Sequence, residues 1–224
     1  MKRRAGMKKA EFDILLYMNE HESADFTEAA RILYRPEEEV AEIYRKLSDE
    51  GYLRADGLTR KGEEVLQTHK IDNAIILAAG MSSRFVPLNF EKPKGLLKVN
   101  GETLIERQIN QLREKGIEEI VIVVGHMKEQ FEYLVEKYNV ILVPTEDYAD
   151  KNNHASVYAA RQYLKNSIIT SSDLYFAENI FQTYGYDAYY CTVYISGKTA
   201  ERGIETNEDD KIIKTMYGDK CYDI

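Results

Sequence analysis

Apolar positions recur at helical spacing through the first seventy residues and then change period. Phe12, Leu15, Leu16 and Met18 mark a helix over residues 10–20, and a second, short helix is expected over 25–34. Pro36 suits the first position of a third helix, where its missing N–H is harmless. Val40, Ile43 and Leu47 form the apolar stripe of that helix, and Gly51 ends it. Tyr52, Leu53 and Arg54, a turn at Asp56-Gly57, and Leu58-Thr59 read as a small hairpin. A last helix runs from about residue 61 to 68.

From Ile71 onward, short apolar runs alternate with amphipathic stretches. Residues 74–77 read as a buried strand. Thr103-Leu104-Ile105-Glu106 has the form of a capping box, with Thr103 as N-cap, for a helix to about Lys115 that Gly116 stops. Residues 119–124 are mostly β-branched without interruption, as in a strand buried on both faces. A helix over 128–137, a strand over 140–143, a helix over about 155–164 capped by Asn153, and a strand over 167–171 ending at Ser172-Asp173 complete the series. The alternation predicts an α/β fold: a Rossmann-like, mostly parallel sheet flanked by helices, preceded by a small α+β segment. Such sheets bind ligands beyond the carboxyl ends of their strands, where Gly80 and Asp173 both fall.

The richest segment follows the first of these strands. Leu77-Ala78-Ala79-Gly80-Met81-Ser82-Ser83-Arg84 is a turn of small residues leading to a basic side chain, and Lys92-Pro93-Lys94 comes about ten positions later. A nucleoside triphosphate needs this combination. Small residues let backbone N–H groups approach phosphate and base. Arg84 can grip phosphate oxygens with its planar fork, and Lys94 can supply a point charge. The two commonest nucleotide loops, G-x-x-x-x-G-K-[ST] and G-x-G-x-x-G, are absent, which disfavours a P-loop ATPase and a dinucleotide dehydrogenase.

The same residues resemble the signature of the nucleotidyltransferases that make NDP-sugars and CDP-alcohols, L-A-A-G-x-G-[ST]-R-[FL]-x-P followed by P-K. Here Ser82 stands in place of the second glycine. Lys98 to Gly101 with Thr103, Leu104 and Ile105 continues the resemblance, as does the strand and glycine at 120–125. Tyr148-Ala149-Asp150-Lys151-Asn152-Asn153-His154-Ala155-Ser156 is similar to the Y-A-x-x-N-N-x-x-S of one branch, the phosphocholine cytidylyltransferases. The resemblance covers residues 71 to about 217.

The resemblance implies a nucleotide-diphospho-sugar transferase type of fold and transfer of a nucleotidyl group from CTP, or another NTP, to phosphocholine or a similar phospho-alcohol. Arg84 and Lys94 would be the catalytic cations. Leu77, Ala78, Ala79, Gly80, Met81, Ser82, Ser83, Asn152, Asn153 and Ser156 would bind the nucleotide. Asp173 would hold Mg2+, a cation usually bound by one or two carboxylates and substrate phosphates. A second family aspartate is expected some eighty residues later, beyond Ile224, so residues 71–224 are expected to lack the last part of a family-length domain. Sugar-1-phosphate nucleotidyl transfer and a non-catalytic nucleotide sensor are the alternatives. A choline group would be caged by aromatic rings. Tyr189, Tyr190 and Tyr194, expected to alternate along a strand, are the candidates, with Tyr148 and Tyr175 as others. His126 and His154 are expected to be loop and site-lining residues without acid–base roles.

Composition narrows the setting. With 44% apolar and 30% charged residues, 224 residues suit one large or two modest globular domains. Two distant cysteines, Cys191 and Cys221, give neither a disulfide framework nor a zinc pattern. No apolar run approaches the ~20 residues that span a bilayer, so a cytoplasmic protein without a membrane partner is expected. Residues 1–70 resemble a winged helix-turn-helix domain, on three helices, a hairpin carrying Gly51-Tyr52-Leu53 and Gly57-Leu58-Thr59, and a helix. Yet residues 36–50 hold two basic against six acidic side chains, and the chain carries net charge −8. A groove-reading helix should be basic. DNA is therefore not the expected partner, and a protein-contact, dimerising or regulatory role is, a homodimer being one form of it. Lys2, Arg3, Arg4, Lys8 and Lys9 read as a solvated basic tail.

Overall fold

The computed structural model describes residues 6–21, 25–80, 91–146, 153–194, 203–207 and 211–216, and the backbone of 197–198 and 221–222. The chain divides into two compact units, Met1–Tyr186 and Asp187–Ile224.

The first unit opens with helices α1 (Lys9–Glu20), α2 (Phe26–Leu33) and α3 (Glu37–Asp49). An antiparallel hairpin of β1 (Leu53–Arg54) and β2 (Gly57–Leu58) follows, then α4 (Arg60–Gln67). Asp25 and Thr59 start α2 and α4 by accepting from the N–H groups of Glu28 (2.9 Å) and Gly62 (3.3 Å). Pro36 is the N-cap of α3, one position before the helix. The expected stripes converge: Phe12, Leu15, Met18, Val40, Leu47, Leu53, Leu58 and Leu66 form one core.

The chain continues through β3 (Asn73–Ala78), a 3-10 turn at Lys94–Leu96, and the hairpin of β4 (Lys98–Val99) and β5 (Glu102–Thr103). Next come α5 (Leu104–Glu114), β6 (Glu119–Val124), α6 (Tyr133–Tyr138), β7 (Ile141–Pro144), α7 (Asn153–Ala159) and β8 (Ser167–Ser171). The four long strands form a parallel sheet in the order β7-β6-β3-β8. Alternate side chains serve opposite faces. Ala74, Ile76, Ile120 and Ile122 pack on Ile105, Ile109, Leu112, Phe131 and Leu134. Ile75, Val121 and Val123 pack on Ala160. Burial on both faces explains the unbroken apolar runs of β3 and β6.

The strand order matters for the site. The chain steps outward from β3 to β6 to β7, then returns to lay β8 on the other side of β3. Beyond the carboxyl ends of β3 and β8 lies the crevice where such sheets bind ligands.

Three local expectations are corrected. Thr103 makes no side-chain capping bond. Glu106 instead accepts from Tyr133 (2.8 Å), Lys137 (2.8 Å) and Tyr138 (3.1 Å), and three donors including an ammonium outcompete one backbone N–H. The helix expected over about 155–164 with Asn153 as its cap instead begins at Asn153 and ends at Ala159, and the chain passes through buried Ala160 into a 3-10 turn at Arg161–Tyr163. Tyr189, Tyr190 and Tyr194, expected to alternate along a strand, lie in a stretch without regular secondary structure.

Residues 183–186 join the helical segment to the sheet segment within the first unit. The carbonyl of Thr183 accepts from Ile71, and Gly185 donates to the carbonyl of His69, both at 2.9 Å. Buried His69 sits against the rings of Phe12 (4.8 Å) and Tyr186 (5.8 Å). Asn166 Nδ2 donates to the carbonyls of His69 (3.1 Å) and Lys70 (2.6 Å).

Among the described residues, the second unit holds two antiparallel pairs. One joins β9 (Gly197–Lys198) to the last strand described. The other joins β10 (Gly203–Thr206) to β11 (Ile212–Met216). That last strand is β12 (Cys221–Tyr222).

Candidate active site

The site grows from strand register. Leu77 of β3 pairs with Ser171 of β8, and the N–H of Ser172 donates to the carbonyl of Leu77 at 3.0 Å. Ala79 and Asp173 each lie two positions past that pair, so the small-residue turn and the acid leave the sheet side by side. Ala78 and Ala79 are buried, at 6% and 3% exposure, while Gly80 is exposed. Among the described residues, a Cβ on Gly80 would meet nothing within 4 Å.

Pro93 is the N-cap of the Lys94–Leu96 turn, and that turn sets Lys94 beside Asp173. Lys94 Nζ lies 3.3 Å from Asp173 Oδ2, and Ser171 Oγ donates to Oδ1 at 2.7 Å. The two turns touch directly. A Cβ on Gly95 would stand 2.8 Å from both Cβ and Oγ of Ser172. Burial alone would push the Asp173 carboxyl up. The Ser171 hydroxyl and the Lys94 ammonium outweigh it and hold the carboxyl below its ordinary value. Asp173 is thus an anion at neutral pH with a cation beside it, at a strand end.

Two of the expected nucleotide contacts lie on α7, which packs over β3 and β6. Ser156 is buried and Asn153 exposed at its first turn, with exposed His154 beside it. The N–H of His126 donates to the carbonyl of Ala79 (3.3 Å), making the turn after β6 a brace for the small-residue turn. Tyr175 accepts from Asn100 (3.2 Å) and lies under the guanidinium of Arg107 at 4.9 Å, a packing arrangement. Met81, Ser82, Ser83, Arg84, Tyr148 and Asn152 lie outside the described residues. Tyr189, Tyr190 and Tyr194 belong to the second unit and are 60%, 78% and 68% exposed.

Sequence reasoning missed Gln108, which is 1% exposed on α5 and donates to the carbonyls of Ser171 (2.9 Å) and Leu174 (2.8 Å). The signal was there: a glutamine inside the stripe of Leu104, Ile105, Ile109 and Leu112. Among the described residues, no group of three or more His, Cys, Asp or Glu gathers as a metal site. Among the described residues, the carboxylate placed at these strand ends is that of Asp173. That fits a magnesium ion held largely by substrate phosphates and water, and does not fit a cation caged by protein alone.

Residues 74–184 match the protein family described as "MobA-like NTP transferase domain". Over that segment, which carries the strand order, small-residue turn and acid just described, the chain is similar to this family. The chain is 44% identical over 148 residues to a choline-phosphate cytidylyltransferase of Streptococcus pneumoniae, covering 66% of this chain and 65% of that protein. It is 41% identical over 150 residues to a 2-aminoethylphosphonate cytidylyltransferase of Lancefieldella rimae, covering 65% and 61%. The chain therefore spans less than two thirds of the length of either relative. A solved structure of the CTP:phosphocholine cytidylyltransferase from Streptococcus pneumoniae (LicC) is similar with TM-score 0.61 and 41% identity, over 68% of this chain and 66% of that one. The α/β nucleotidyltransferase fold expected from the sequence is thereby shown. No helix among the described residues is long and apolar enough to cross a membrane.

Proposed function

We propose that the chain transfers a cytidylyl group from CTP to a phospho-alcohol of the phosphocholine type, with release of pyrophosphate. The observation that carries this reading is the Lys94–Asp173 pair at the β3/β8 switch point, beside an open small-residue turn. A phosphate oxygen of the acceptor attacks the α-phosphorus of CTP. The new P–O bond forms as the bond to the bridging oxygen of pyrophosphate breaks. The acceptor is already an anion, so no general base is needed. The protein's task is to place two anions together and offset the charge that grows between them. Lys94 supplies fixed positive charge at the reacting phosphates, and Arg84 is assigned to the β- and γ-phosphates. Asn152, Asn153 and Ser156 are assigned to base or acceptor, beside the backbone of residues 77–83. Asp173 would hold Mg2+, which when bound neutralises phosphate charge.

The relative that acts on 2-aminoethylphosphonate favours a second acceptor class, aminoalkyl phosphonates, which present the same anionic oxygens. Pyrophosphate release is to be measured with CTP, UTP, dTTP or GTP against phosphocholine, 2-aminoethylphosphonate and glucose 1-phosphate. CTP with one of the first two should give the highest kcat/KM. Preference for UTP and the sugar phosphate would overturn the reading in favour of a sugar nucleotidyltransferase.

We read residues 1–70 as a winged-helix module that contacts protein or serves regulation, with Tyr189, Tyr190 and Tyr194 kept as candidates for the acceptor's aromatic cage.

A further inference from the structure

Side chains of α5 close around the irregular segment that follows β8. Arg107 donates to the carbonyls of Phe176 (2.8 Å) and Ala177 (2.7 Å), and Gln111 to that of Phe176 (3.1 Å). Gln108 reaches further back. Its Nε2 bridges the carbonyls of Ser171 and Leu174, which bracket Asp173, at 2.9 and 2.8 Å. Its Oε1 accepts from Thr170 Oγ1 at 3.3 Å, so both ends of a fully buried amide are engaged. Within the turn itself, the Leu174 N–H lies 3.4 Å from the Ser171 carbonyl, a long bond that does little to fix the turn. An apolar side chain would fill this core position as well as glutamine does. What glutamine adds is a buried donor that engages two carbonyls, one on either side of the acid.

We propose that Gln108 is the positioning residue for Asp173. It fixes the turn from the helix side while Ser172, seated against Gly95, fixes it from the Lys94 side. Gln108 touches no substrate. It sets where the Asp173 carboxylate stands relative to Lys94 and to phosphate-bound metal, which rests on the nucleotidyl-transfer reading above. Without Gln108 the helix side of that turn would lose its side-chain donor.

The test compares the wild-type chain with Gln108→Met, which keeps length and removes both hydrogen-bonding ends. Ile109→Val, buried on the same helix, is the packing control. Gln108→Met should speed amide exchange at residues 173 and 174 at least tenfold, with residues 121–123 unchanged. It should weaken Mn2+ binding in the presence of CTP at least fivefold by electron paramagnetic resonance. It should also lower kcat at least tenfold with KM for CTP within twofold. Ile109→Val should do none of these. Unchanged exchange and Mn2+ affinity in Gln108→Met would overturn the proposal, as would kcat and KM moving together. Should Gln108→Met not fold, Gln108→Glu replaces it. Its buried carboxyl can donate only when protonated, so its kcat relative to wild type should rise as pH falls from 8 to 5, and a flat ratio would overturn the proposal. If the wild-type chain shows no cytidylyl transfer, the functional reading fails, and exchange and Mn2+ binding still decide the role of Gln108.

Discussion

Single ion pairs in this molecule differ in what they do. Lys94 and Asp173 meet where a ligand would sit, whereas Glu106 ties α5 to α6 through Tyr133, Lys137 and Tyr138. Burial raises the Glu106 carboxyl, but those three donors prevail and hold it below its ordinary 4.5. In the unfolded chain it would take up a proton first as pH falls. Its contribution is therefore full above about pH 4.5 and lost as pH drops through the folded-state value. Glu106→Gln should lower stability by about 2 kcal/mol at pH 7, the scale of a hydrogen bond to a charged group. Urea titrations at pH 7 and pH 3 check this: the gap between wild type and variant should close at the lower pH. The Asp173 carboxyl is also held below its ordinary value, so it should not cause activity to fall between pH 7 and 5.

At the scale of elements, the critical contact joins two turns rather than two regular elements. Gly95→Ala would force a Cβ to within 2.8 Å of Ser172. Overpacking of this kind costs about 1–3 kcal/mol. Thermal melts should register that loss, and kcat should fall with it because the Lys94 and Asp173 turns are pushed apart. An unchanged kcat in a destabilised Gly95→Ala would show that their spacing is not limiting. The strands β3 and β6 were legible in the sequence because two-sided burial leaves continuous apolar runs. The Gly80 turn was legible because small residues at a strand end carry a chemical meaning. Gln108, Ser171 and Gly95 were not, since their roles depend on which segments the sheet order brings together. The capping box at Thr103-Glu106 misled for the same reason: the carboxylate found better donors on a distant helix. The tyrosines at 189–194 suggested a strand by composition, but no partner strand runs beside them among the described residues.

Across the whole molecule, a short strap at residues 183–186 helps bind the helical and sheet segments of the first unit. His69, Tyr184 and Tyr186 are shared between them, and Tyr186 Oη donates to the carbonyl of Met7 at 2.7 Å. The two segments should therefore melt together, and Tyr186→Ala should lower the Tm of both or split the transition. Calorimetry of the full chain checks this. Two separate transitions in the wild type would show that the strap does not couple them. On α3, Glu37, Glu38 and Glu42 share an exposed face with Arg45, and the chain is net −8. A gel shift at low salt should accordingly show no retained duplex DNA.

The central claim is that Lys94 and Asp173 form one half of a cytidylyl-transfer site. Pyrophosphate release by wild type and Lys94→Ala, with CTP, phosphocholine or 2-aminoethylphosphonate, and Mg2+, tests it most directly. Release should require CTP and acceptor together, and Lys94→Ala should lose about a hundredfold or more, on the order of 3 kcal/mol, while remaining folded. A Lys94→Ala protein that turns over at the wild-type rate would contradict the account.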